Sequence, residues 1–215
     1  AFISSFALRE SYDRNWFSLY GVNGLRKDQS SSLSWSNGVR WRLDLGYQEI
    51  PHRFSETGRT PFSEAGQGVW TLPDSLQSKI QGTPSTYVAT MTDLLAGASP
   101  VDLSFRTDVS RARMRARPAR GWQFELKGTR RQRSGKKPYG APFGFNSAIE
   151  LPEQISQRMV DADARASFQR ERVNVELTGG VSLFDNKVDV LRWDNPKRLT
   201  DTTYAAAYVA GDGSR

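Results

Sequence analysis

The sequence predicts an all-β fold, an antiparallel transmembrane β-barrel seen in part, with long loops and one short helix near residues 84–95. Three observations lead there. Stretch after stretch alternates apolar and charged residues with a period of two, which marks strands with two unlike faces. Trp and Tyr collect near the ends of those stretches, and some of the connections are much longer than compact soluble domains use.

The clearest strand is "GVRWRLDLGYQEIPH", residues 38–52. Val39, Trp41, Leu43, Leu45 and Tyr47 fall on one side, and Arg40, Arg42, Asp44, Gly46 and Gln48 on the other. "GWQFELKGT" sets Trp122, Phe124 and Leu126 against Gln123, Glu125 and Lys127, while "MVDADARASFQ" sets Val160, Ala162, Ala164, Ala166 and Phe168 against Asp161, Asp163, Arg165, Ser167 and Gln169. "VNVELTGGVSLF" continues the theme with Val173, Val175, Leu177, Val181 and Leu183 opposite Asn174, Glu176, Thr178 and Ser182. Weaker strands are expected near residues 2–9, 15–25, 30–36, 188–193 and 202–210.

Between residues 101 and 117 the alternation slips, because Leu103, Phe105 and Val109 are odd whereas Ala112, Met114 and Ala116 are even. A bulge or turn near Ser110 is the expected cause. After the slip, Arg111, Arg113, Arg115 and Arg117 share the polar face. Residues 53–100 and 134–153 break the rhythm and are expected as long loop insertions in a single partial barrel domain spanning 1–215. Pro84 to about Leu95 is the expected helix.

A chain of 215 residues has room for one large domain or two small ones. Aromatic residues make up 11%, which argues against disorder. No apolar run approaches the ~18 residues of a spanning helix, a length that barrel strands do not need. The chain starts at Ala1 without a basic or apolar leader and stops in "YVAGDGSR", in what reads as another strand, so a segment of a longer protein is expected.

Two-faced strands leave open which face looks inward. A soluble sandwich would need wholly apolar inner faces. Here the apolar faces include Ala and Gly and are edged by aromatics, as a lipid-facing band with girdles would be, so the charged faces are expected to line a lumen. The residues expected there are Arg40, Arg42, Asp44, Arg111, Arg113, Arg115, Asp161, Asp163 and Arg165.

No residue pattern points to catalysis, so the chain is not expected to be an enzyme. With zero cysteines there are no disulfides, thiolate metal sites or haem attachments, and a single histidine, His52, makes a histidine metal site or a catalytic triad a poor fit. Asp161 and Asp163 share a strand face and could serve as an acid–base pair or bind Ca²⁺; Arg165 beside them favours an ion-paired wall. Net charge is +7, and "RARMRARPAR" with "RRQRSGKK" could neutralise phosphates, but no aromatic stacking platform accompanies them. Gly66 and Gly68 do not lie in a βαβ unit.

Four pieces in order, "LGYQEIPHRFSETGRTPF" with "TLPD", "RQRSGKKPYGAPFGFNSAIELPEQI" and "SLFDNKVDVLRWDNP", resemble the MtrB/PioB family of decahaem-associated outer-membrane β-barrels. The resemblance covers about residues 15–200, an early part of a full family barrel. It implies a large barrel in the bacterial outer membrane that sheathes a periplasmic multihaem (decahaem) c-type cytochrome, so that electrons cross on the partner's haems. An outer-surface multihaem cytochrome is a further implied partner. No cofactor is expected on this chain itself, haem c belonging to the partner, and nucleic acid is not expected to bind. The resemblance gives structural roles to Glu49, Ile50, Pro51 and His52 at a strand end, and to Thr60, Pro61 and Phe62 at the opening of the long loop. It does the same for Phe184, Asp185 and Asn186, with Trp193, Asp194, Asn195 and Pro196, at another strand end. Two other roles stay open: a porin whose arginine-lined lumen selects anions, and a soluble basic β-protein that binds polyanions.

Overall fold

The computed structural model describes residues 3–80, 84–142 and 148–196. Its strands are β1 (Ile3–Tyr12), β2 (Asn15–Gly24), β3 (Ser30–Asn37), β4 (Trp41–Arg59), β5 (Ser63–Gly66), β6 (Val69–Thr71), β7 (Pro100–Ala116), β8 (Trp122–Pro142), β9 (Ala148–Arg170), β10 (Val173–Asn186) and β11 (Arg192–Trp193). Two helices, α1 (Asp74–Ile80) and α2 (Pro84–Gly97), lie between β6 and β7. Eight strands form one sheet in the order β1-β2-β3-β4-β7-β8-β9-β10, and β11-β6-β5 form a smaller one. The chain divides into two compact units, Ala1–His52 with Arg106–Arg133 and Gln157–Asn186, and Arg53–Phe105 with Ser134–Ser156 and Lys187–Arg215.

In the first unit, β1–β2, β3–β4, β7–β8 and β9–β10 are joined by short turns. Tyr12 pairs with Asn15 across a two-residue turn, Asp13–Arg14, and Arg170 pairs with Val173 across Glu171–Arg172. Asp13 (φ 53°) and Glu171 (φ 47°) take the left-handed conformation that such turns need to match strand twist. The β7–β8 turn needs a glycine for a different reason. Gly121 (φ 84°) accepts a hydrogen bond from the Gln169 amide at 2.8 Å, and a Cβ there would lie 2.6 Å from the Gln169 carbonyl oxygen.

The second unit has the buried core: Phe62, Trp70, Leu72, Leu76, Ala141, Leu151 and Trp193 pack together, with Met91, Leu94 and Leu191 against them. β11 lies parallel to β6, Trp193 beside Trp70. The Asp194 amide donates to the Trp70 carbonyl (3.0 Å), its carboxylate accepts from the Leu72 amide (2.8 Å), and Gln77 donates to the Asn195 carbonyl (3.1 Å). These bonds satisfy polar groups that would otherwise be buried unpaired, each worth ~1–3 kcal/mol. Arg59 donates to the carbonyls of Leu95 and Ala96, the unsatisfied acceptors at the end of α2. Lys136 pairs with Glu64 at 2.9 Å and lies over the Trp70 ring.

Several expectations are corrected. Within 134–153 the described residues are strand and not loop: Ser134–Pro142 continue β8 and Ala148–Glu153 begin β9. Residues 53–100 likewise hold the end of β4, two short strands and both helices, so the two expected insertions contribute to a second compact unit. Glu49–His52 do not close a strand, because β4 continues to Arg59. The segment 188–193 contributes strand only at Arg192–Trp193, and 202–210 lies outside the described residues. The expected helix extends to Gly97. β7 runs unbroken through Ser110. Its slip is a change of surroundings, since Leu103, Phe105 and Val109 are buried on one face before Ala112 and Met114 take up the other. The backbone irregularity of the neighbouring strand is at Gly135 of β8, whose φ of 136° and approach to the Ser104 oxygen leave no room for a Cβ.

Trp193→Ala removes one of the two indole rings of the second core and is expected to destabilise that unit by ~3–5 kcal/mol. Limited proteolysis of the folded protein should then cut faster within residues 60–100, while the hairpins of the first unit resist. An unchanged cleavage rate would remove Trp193 from the core.

Candidate functional site

Register settles which side chains share a face of the first unit. Leu8 pairs with Leu19, Leu19 with Leu33, and Leu33 with Leu45, so these four lie in one row. Ala162 pairs with Val181, Ala166 with Leu177, and Phe168 with Val175. A further group, Leu43, Ala112, Met114, Leu126, Ala162, Ala164 and Val181, lines one shallow apolar hollow, which joins β4, β7, β8, β9 and β10 on the same side. Most of the exposed large hydrophobics of this unit stand here, Leu177 at 73% and Leu183 at 61% among them. Such a surface suits hydrocarbon and not water. At its hairpin end the rings gather: Trp35 meets Trp41 edge-on at 4.8 Å, and Trp122 packs on Phe124 and, at 5.0 Å, on Phe168. Rings gathered at one end of an apolar face are what an aromatic girdle requires.

The opposite face is a wall of ion pairs. Asp44 accepts from Ser34 (2.7 Å) and Arg42 (2.9 Å) and has Arg115 at 3.8 Å. Glu125, 7% exposed, is held between Arg113 (2.7 Å) and Lys127 (2.8 Å). Asp161 takes Ser182 (2.7 Å) and Arg131 (3.6 Å), and Arg165 pairs with Glu176. Arg42 also lies 5.9 Å from the Trp16 ring. Asp163 stands over Gly180, where a Cβ would meet its oxygen at 2.6 Å. Among the described residues, neither Asp163 nor Arg111 makes an ion pair within the chain.

Eight of the nine residues expected on this face are therefore brought together on it: Arg42, Asp44, Arg111, Arg113, Arg115, Asp161, Asp163 and Arg165. Arg40 is the exception, because it lies in the β3–β4 turn, before the strand begins. Sequence reasoning put Glu176 on the polar face without its partner Arg165 and missed Arg131 beside Asp161, because both pairings depend on register across strands and not on spacing within one.

Glu49 has a different position. It is 8% exposed, on the face of Leu43 and Leu45, and accepts from Tyr47 (2.7 Å) and Gln29 (2.9 Å) with Arg106 at 3.6 Å. Arg106 in turn pairs with Asp108 at 2.8 Å. On β9 and β10, Arg158 and Asp185 pair at 3.4 Å, again just beyond the apolar rows. These charges end the apolar band at the side away from the hairpins. Asp185 and Glu49, expected as structural strand-end residues, are thus members of a polar rim. Phe62, Trp193, Asn195 and Pro196 are buried in the second unit, where Thr60 and Pro61 lead out of β4.

The sequence profile of the family described as "Putative outer membrane beta-barrel porin, MtrB/PioB" matches residues 3–211. No curated protein matches the chain.

The two faces differ in what they tolerate. Leu177→Arg, on the apolar face, is expected to cost ~2–4 kcal/mol of stability in a bilayer, whereas Thr178→Arg, next to it on the ion-paired face, should cost less than ~1 kcal/mol. Urea titration of the full-length barrel folded into vesicles measures both. Equal costs would contradict the assignment of faces.

Proposed function

The chain belongs to the MtrB/PioB family of outer-membrane β-barrel porins, and from that premise we propose that it supplies wall strands of a barrel that sheathes a multihaem c-type cytochrome, supporting electron transfer across the bacterial outer membrane. The observation that carries this reading is the ion-paired, cation-rich face. Arg111, Arg113 and Arg115 project together from β7, and the carboxylates nearest them are already held by the chain's own arginines and lysine. A wall that satisfies most of its own charges can be covered by a folded protein at a smaller desolvation cost than one of bare ions. The residual positive charge then attracts carboxylates on the occupant, haem propionates included.

In this reading the chain is a wall and not a catalyst. It has no cysteine with which to attach haem, so the redox groups belong to the partner, and the barrel contributes position and insulation. The arginine row also fits a second reading, an anion-selective pore, to which the family's description as a porin gives weight.

The test is the visible spectrum and haem stain of the full-length parent extracted from outer membranes in mild detergent. Stoichiometric c-type haem is the expected result; a haem-free barrel that conducts anions would replace the sheath with a pore. Replacing Arg111, Arg113 and Arg115 together by Glu should lower cytochrome retention at least several-fold without altering membrane insertion. Retention equal to wild type would remove these arginines from the contact.

A further inference from the structure

The rims at the two ends of the first unit's strands are neutralised differently. Away from the hairpins, three arginines are matched with carboxylates, Arg26 with Asp28 at 3.3 Å, Arg106 with Asp108 at 2.8 Å, and Arg158 with Asp185 at 3.4 Å, while Arg130 donates to the neutral Gln132 at 2.7 Å. At the hairpin end the four turns carry Arg14, Arg40, Arg117, Arg120 and Arg172, with Arg170 at the end of β9 beside them, all exposed. Arg117 donates to the neutral Gln123 at 3.2 Å, and among the described residues none of the six forms an ion pair within the chain. Only Asp13 and Glu171 oppose them in these turns. The ion-paired carboxylates lie at one rim, and the hairpin rim is the more cationic of the two.

What that rim meets is set by its neighbours. Tyr12, Trp41, Trp122 and Phe168 close the apolar face at this end, and Arg170 follows Phe168 on the same side of β9. Aromatic rings at the edge of a lipid-facing band sit at headgroup depth, and arginines one step beyond reach phosphate oxygens, which their planar guanidinium groups bind in pairs. We infer that the hairpin rim is a binding surface for the phosphate groups of anionic phospholipids in the leaflet that the short turns face. An acidic protein would need the same charges but not their continuity with the girdle, so lipid is the occupant the geometry favours. Clusters of basic residues at a membrane surface attract anionic headgroups in this way. The inference requires the barrel wall but not the cytochrome, so it stands or falls separately from the sheath.

The experiment reconstitutes the full-length barrel into vesicles of phosphatidylcholine with a minor share of phosphatidylglycerol, re-extracts it in mild detergent, and weighs the lipids that stay bound. Wild-type protein should retain phosphatidylglycerol at several times its share in the vesicle. Arg40, Arg120, Arg170 and Arg172 replaced together by Gln should bring retention down to the bulk ratio, while Arg26→Gln with Arg158→Gln at the other rim leaves the enrichment in place. If the quadruple variant does not fold, the pairs Arg40/Arg120 and Arg170/Arg172 are changed separately and each should lower enrichment. Adding inorganic phosphate should not displace the lipid; displacement would assign the site to free phosphate and overturn the inference. So would bulk-ratio lipid around the wild type, the same loss from either rim, or a charge dependence seen only with an acidic partner protein bound.

Discussion

Everything in the first unit follows from the backbone hydrogen-bonding demand of a strand in hydrocarbon. A peptide N–H or C=O without a partner in lipid costs several kcal/mol, so strands that cross a bilayer pair on both sides. The order β1-β2-β3-β4-β7-β8-β9-β10 meets that demand at every internal strand. Among the described residues, β1 and β10 each have one paired side. Tight hairpins such as Asp13–Arg14 and Glu171–Arg172 keep the register that holds every leucine row on one side, since a slip of one residue would turn Leu177 inward and Thr178 out.

Once the backbone is paired, the side chains sort by solvent. The apolar rows end in aromatic rings at the hairpins and in Glu49, Arg106, Asp108, Arg158 and Asp185 at the other side, so the height of the lipid band is written into the sequence as a change of residue type on a single face. The reverse face spends its carboxylates on its own arginines. That self-pairing leaves a modest positive surplus on the face opposite the apolar rows, an arrangement consistent with the two-faced wall of an outer-membrane β-barrel.

The strands of the first unit were legible because their two faces meet different solvents. Alternation in 41–47, 122–127, 160–168 and 173–183 marks them, and of the nine residues that alternation assigned to the polar face, eight lie on the ion-paired face. The second unit was not legible for the converse reason. Gly135, Ala141 and Leu151 lie in strand segments without period-two contrast, packed near other protein groups, so glycine and proline there read as loop punctuation. The change of phase in β7 was visible, but one sequence does not distinguish a bulge from a strand that passes from a protein core to lipid. Glu49 was hidden too: on sequence it breaks an apolar row, and only the positions of Gln29, Tyr47 and Arg106 explain why a carboxylate is stable there.

The central claim is that odd-numbered residues of β10 face lipid and even-numbered ones face the interior. The chain has no cysteine, so single spin labels can be placed one at a time from 173 to 183 in the full-length barrel in vesicles, and their collisions with oxygen and with a water-soluble nickel chelate compared. Oxygen accessibility should peak at 173, 175, 177, 179, 181 and 183 and fall at each position between. Peaks at the even positions would put the charged face toward lipid, and a flat profile would mean that this strand does not cross the membrane; either would contradict the account.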